Sequence, residues 1–248
     1  MDFRKSCLSV LAFAAIVAIG SASAANCTNA SLNGVWGVLD AGSNNGQPEA
    51  TLTQLTFDGA GHLSGTVTNS TDGTITTGKV AGSYSVNKNC SGSLFVNLPG
   101  NKTANSNFAL DNSKKGAQII RTDTGLVKTG TAFEKGASVC ATIGKKATFA
   151  GTLSGTITGF GQIAGGGQVI FDGKGNISGM VTFSMGGGIS NAPIVGTYTE
   201  NADCTGTAEF TPQGFTTANF NLVVVDAGKE IFIVETDANT TVSGTLQK

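Results

Sequence analysis

Apolar and polar residues alternate with a period of two along most of this chain. In "TLTQLTFDG", Leu55 and Phe57 alternate with Gln54 and Thr56, and past the turn Leu63, Gly65 and Val67 share one face. Val169 and Phe171, then Ile177, Gly179, Val181 and Phe183, repeat the pattern downstream. Such alternation predicts strands with one buried face. No window of a dozen residues has the 3.6-residue period of an amphipathic helix. Between alternating runs sit "DGAGH" and "DGKGN", and later "DNSKKG" and "DAGKE", which are hairpin turns.

The pattern is written twice. "FDGAGHLSGTVTNS" from Phe57 matches "FDGKGNISGMVTFS" from Phe171 at nine of fourteen positions, 114 residues apart. "VAGSYSVNKNCSGSL" (80–94) meets "IVGTYTENADCTGTA" (194–208) at the same offset, and "IIRTD" (119–123) meets "IVETD" (233–237). "LNGVWG" (32–37) pairs loosely with "FAGTLSG" (149–155). Units of about 110 residues are ordinary domain size, far longer than solenoid repeats. The reading is therefore a tandem duplication, 25–137 and 138–248, of two beads on a string. Each unit has about eight short strands. Antiparallel strands joined by hairpins close economically as an up-and-down barrel, which also removes exposed edges. The expected fold class is all-β, two tandem antiparallel barrels of about eight strands.

Residues 1–24 read as a leader. Arg4 and Lys5 precede an apolar run from Leu8 to Ile19, and Ala22-Ser23-Ala24 offers a small-residue cleavage site. The run is too short for a membrane span and fits a cleavable signal peptide. Export to the periplasm or the extracellular space is expected. No later stretch is long and apolar enough for a membrane span. Charged residues make up 12% of the chain and the net charge is −1. Such a surface lacks the basic footprint of a nucleic-acid partner.

Export permits disulfides. With Cys7 lost in the leader, four cysteines remain and allow three pairings. The repeat selects Cys27 with Cys90 and Cys140 with Cys204. One histidine and no short paired Cys spacing predict no metal site. His62, in a turn where the second copy has Asn176, reads as a turn residue able to adopt positive φ. Asp58 and Asp172 have glycine at the alternate positions where a calcium loop needs oxygen ligands. "GFGQIAG" (159–165) lacks the strand–helix setting of a dinucleotide site, and no cofactor is expected.

The aromatic-Asp-Gly-x-Gly-x-aliphatic-x-Gly run, then Gly-x-Tyr and Cys-x-Gly, resembles bacterial secreted proteins of unknown role. Their domains are similar to the allene oxide cyclase barrel, a calycin-like shape shared with lipocalins and dirigent proteins. Phe57, Asp58, Gly59, Gly61, Gly65, Gly82, Tyr84, Cys90 and Gly92 carry the resemblance, with their second-copy partners. It implies two calycin-like barrels over nearly all of the mature chain. No catalytic residue of the cyclases matches a position here.

Three functions stay open. A binding module would hold a small apolar ligand against barrel-lining aromatics: Trp36, Phe57, Tyr84 and Phe108 in the first unit, Phe171, Tyr198 and Phe220 in the second. Inward Gly65, Gly82, Gly179 and Gly196 leave room for a ligand or let a ring pack on bare backbone. A structural module would have filled barrels and a surface partner. A cyclase-like enzyme could work by holding a reactive substrate in one shape with few polar groups, and an ionisable residue buried inside the barrel would favour it. Arg121 and Glu235 are the aligned charged pair, both expected to face solvent.

Overall fold

The computed structural model describes residues 26–136 and 145–248. The leader and Cys140 lie outside the described residues. Each strand turns back on its predecessor through a short glycine- or asparagine-rich turn, so the sheets grow in sequence order. A 3-10 turn, Asn29–Leu32, leads into β1 (Gly34–Asn44), β2 (Gln47–Phe57), β3 (His62–Thr71) and β4 (Thr74–Val86). β5 (Ser91–Leu98), β6 (Lys102–Leu110), β7 (Gly116–Arg121) and β8 (Leu126–Glu134) follow, and β8 pairs with β1 to close the first barrel. The second barrel runs β9 (Ala147–Ile157), β10 (Gly161–Phe171), β11 (Asn176–Met185), β12 (Gly188–Glu200), β13 (Thr205–Pro212), β14 (Ala218–Val225), β15 (Glu230–Glu235) and β16 (Thr240–Gln247). β16 closes on β9. All pairings are antiparallel, as the alternation and turns predict.

The turns owe their shape to one aspartate each. Asp58 Oδ1 accepts the backbone N–H groups of Ala60, Gly61 and His62 at 2.7–2.9 Å, and its Oδ2 meets His62 Nδ1 at 3.0 Å. Asp172 repeats this with Lys174 and Asn176, whose side-chain amide donates at 2.7 Å. His62 and Asn176 thus share a role in the turn, but not through positive φ. Both begin a strand, and the positive φ falls on the neighbouring glycines.

Strand register sets Trp36 opposite Leu55 and Phe149 opposite Val169, so Trp36 matches Phe149. The loose sequence pairing of 32–37 with 149–155 was therefore out of step. In each barrel three rings stack edge to face: Trp36, Phe57 and Tyr84 in the first, Phe149, Phe171 and Tyr198 in the second. This geometry suits the ring quadrupoles. Trp36 Nε1 donates to Leu32 O and the Tyr84 hydroxyl to Asn29 O, so the leading 3-10 turn is bonded to this end of the barrel. Inward Gly65, Gly82, Gly179 and Gly196 make no ligand space. A Cβ at each would strike the carbonyl oxygen of the adjacent strand, on Gln54, Phe95, Gln168 and Glu209 respectively.

Cys27 and Cys90 form a disulfide, as the repeat predicts. Cys204 is also disulfide-bonded. Replacing Cys27 and Cys90 together by Ser is expected to cost about 2–4 kcal/mol, read as a lower denaturation midpoint with an unchanged barrel circular-dichroism spectrum.

The barrels are not beads on a string. The outer faces of β1 and β2 present Leu39, Ala50 and Leu52 to Val223, Val225, Phe232 and Val234 of β14 and β15, a buried apolar cluster that Phe133 joins. Polar bonds border it: Ser70 Oγ to Thr240 O at 2.6 Å, Gly73 N–H to Thr241 Oγ1 at 2.9 Å, and Asn221 Nδ2 to Thr68 Oγ1 at 2.8 Å. The signal was in the sequence. "NLVVV" and "EIFIVE" lose the alternation because both faces of those strands are buried.

Candidate functional site

The two barrels share a backbone plan but not an interior. In the first, the half away from the aromatic stack is filled with charge. Lys128 of β8, 2% exposed, places Nζ 2.7 Å from Glu49 Oε1 and 2.6 Å from Thr51 Oγ1. The same nitrogen lies 2.6 Å from Asp40 Oδ1, a contact of charges without hydrogen-bond alignment. Glu49 Oε2 accepts from Asn44 and Thr71 at 2.8 and 2.9 Å. Burial pushes the Glu49 carboxyl up, but the charge and hydrogen bond of Lys128, with those of Asn44 and Thr71, hold it below its ordinary value. Arg121 of β7 reaches in from the side, its Nη2 2.8 Å from Asp123 and its Nη1 3.8 Å from Asp40. A void of about 150 Å³ remains beside this network.

In the second barrel the register aligns Asp40 with Leu153, Glu49 with Ile163, Thr51 with Gly165, Lys128 with Val242 and Arg121 with Glu235. Four charges become three aliphatic side chains and one acid. With the network gone and Gly165 in place of Thr51, the interior is hollow. A cavity of about 680 Å³ is walled by Leu153, Ile163, Val181, Phe183, Phe210, Phe220 and Ile233. Its polar lining includes Glu235, Asp237 and Thr240. Phe160 and Phe215, in the turns after β9 and β13, stand at its mouth and are 70% and 42% exposed.

Glu235 is 8% exposed. Burial, then the nearby charge of Asp237, raises its carboxyl to about 7, against a weaker opposing hydrogen bond from Thr240. Asp237 itself is clamped by the backbone N–H and side-chain amide of Asn219, at 2.7 Å each. The first barrel has the same clamp, Asn105 on Asp123.

The expectation that Arg121 and Glu235 face solvent is corrected: both point inward. They lie two residues beyond Ile119 and Ile233, which are core residues of their barrels, and a period of two keeps them on that face. Of the seven aromatic positions, Trp36, Phe57, Tyr84 and Phe108 belong to the packed core of the first barrel, and Phe171 and Tyr198 to that of the second. Phe220 lines the cavity. The hollow was foreshadowed by "GQIAGGGQV" in β10, where barrel one has Thr51 in place of Gly165. β9 and β10 form a plain hairpin around the "GFG" turn, with no helix to make a dinucleotide site. A separate open cleft of about 620 Å³ runs between the barrels past Gly42, Ala50, Gln162 and Thr241.

No protein-family model and no curated protein matches the chain. Among solved structures, kievitone hydratase from Nectria haematococca is similar at 8% identity and a TM-score of 0.31, over 92% of this chain and 94% of that one. CghA with Sch210972 is similar at 10% identity and a TM-score of 0.31, over 86% and 88%.

Proposed function

We propose that the second barrel is the working half of an exported protein. It takes up one small apolar molecule, and Glu235 exchanges a proton with it. The observation that carries this reading is the contrast of interiors: one barrel is largely filled by a charged network, and its duplicate holds a larger, mostly apolar chamber with the buried acid Glu235 in its wall. Interiors ordinarily pack to the density of organic crystals, so a purely structural module gives no reason for a 680 Å³ void. A carboxyl near 7 is half protonated at neutral pH, where a general acid–base group works best. Reactions that need one proton moved within an apolar enclosure fit: isomerisation, hydration of a double bond, or cyclisation. The last agrees with the resemblance to cyclase-type barrels. The first barrel is the rigid support.

Titration with N-phenyl-1-naphthylamine, a neutral apolar fluorophore, tests the chamber. One saturable site is expected, with enhanced emission. Leu153→Trp should fill the cavity and remove at least nine-tenths of the signal, while Glu235→Gln should leave affinity for the neutral probe within about twofold. Undiminished binding by a folded Leu153→Trp variant would place the site elsewhere and overturn the proposal.

A further inference from the structure

The duplicated clamp faces different things in the two barrels. In the first, Asp123 holds Asn105 on one side and the Arg121 guanidinium on the other, with Arg121 Nη2 at 2.8 Å and Nε at 3.3 Å. In the second, Asp237 holds Asn219 in the same way, but Glu235 stands where Arg121 would be. Among the described residues, no ion pair joins Glu235 or Asp237 to a cation. β14 places Phe220 beside Glu235, β16 contributes the Thr240 hydroxyl, and Asp237 is the charge that acts on it. Two carboxyl groups therefore border an apolar chamber with no internal counter-ion, at the place where the sister barrel supplies its own.

We infer that the molecule bound in the second barrel has an apolar body and a cationic head, an ammonium or guanidinium group, which sits where the Arg121 guanidinium sits in the first barrel. The inference rests on the chamber being the binding site. A cation entering there meets Asp237 and Glu235 in surroundings of low dielectric, where opposite charges attract strongly and like charges are excluded. If the ligand arrives as a free amine, the Glu235 proton passes to its nitrogen and leaves a carboxylate–ammonium pair. If it arrives charged, that proton goes to water. An anionic head has no partner in the chamber and two repelling neighbours.

Competition on the full chain decides this. Octylammonium, 1-octanol and octanoate share one apolar body and differ only in the head. Each is used to displace N-phenyl-1-naphthylamine at pH 8. Octylammonium should displace the probe at a concentration at least tenfold lower than octanol, with octanoate weakest. The advantage should shrink at pH 5.5, where Glu235 is protonated. Glu235→Gln should reduce it to threefold or less without changing octanol, and Glu235→Arg, which restores the first barrel's arrangement, should abolish it. Octanol matching octylammonium in the wild-type chain would overturn the inference and leave the chamber standing. Failure of the neutral probe itself to bind would overturn both. The wild-type series stands alone should a variant fail to fold.

Discussion

Lys128→Met should lose about 3–5 kcal/mol of stability, because removing one partner of a buried ion pair strands the others. The methionine fills similar volume, but Asp40 and Glu49 then face each other with no cation between them, and the Arg121 Nη1 is 3.8 Å from Asp40. Trp36 is the one tryptophan of the chain and lies in this barrel, so its fluorescence in a urea titration at pH 7 follows the loss. Glu49 has its carboxyl held below its ordinary value. Its contribution is present above the unfolded value and is lost as pH falls through the folded one, so the variant's deficit should narrow in acid, below the ordinary glutamate range. The second barrel supplies the control. Asp40→Leu, Glu49→Ile and Lys128→Val together copy residues that already occupy equivalent positions in a folded duplicate. The triple variant should fall within about 1–2 kcal/mol of wild type, since apolar replacement of a whole buried network is often neutral or stabilising. A triple variant as unstable as Lys128→Met would show that the network contributes far more than it costs to bury.

Glu235→Gln should stabilise the protein at pH 8 by about 3 kcal/mol and have little effect at pH 4. The sign follows from the direction of the shift. The folded carboxyl is raised from 4.5 to about 7, so the folded state holds the proton more tightly than the unfolded chain does. Stability is full below the unfolded value and declines as pH rises through the folded one, then levels off. A shift of this size corresponds to about 3 kcal/mol. Urea midpoints of the two proteins from pH 4 to 8 measure it. Parallel curves would mean that Glu235 is solvated and would remove the acid–base part of the proposed function.

The fold was largely legible because its signals are local. Alternation, Asp-Gly turns and the 114-residue echo each act within a hairpin or between copies, and together they define sixteen strands in two closed sheets. The site was less legible because it depends on which way two strands face and on what is missing. Arg121 and Glu235 follow Ile119 and Ile233 at a spacing of two, so their inward direction could be read. Against it stood the cost of burying a charge, a cost the protein meets in opposite ways: Arg121 finds Asp123, and Glu235 keeps its proton near neutral pH. The aromatic positions carry a weaker signal for a different reason. Six of the seven pack the core of their barrels, and the chamber is walled by Phe220 together with Phe183, Phe210 and aliphatic residues whose inward direction is set by register. The docking of the barrels was visible only as lost alternation in β14 and β15.

That docking joins unlike faces. The first barrel offers β1 and β2; the second offers β14 and β15, whose first-barrel counterparts are β6 and β7. A head-to-tail contact between repeated units has no built-in end and could add a third copy, then a fourth, into a fibre. The two faces left over differ from the docked ones. Where the first barrel docks with Leu39 and Leu52, the second has exposed Thr152 and half-exposed Gly166. Where the second docks with Val225 and Phe232, the first has exposed Asp111 and Gln118. The leucine pair and its valine–phenylalanine partner therefore meet once, between the halves, while the equivalent positions on the two outer faces are mostly polar or small, with Ile120 the large apolar exception.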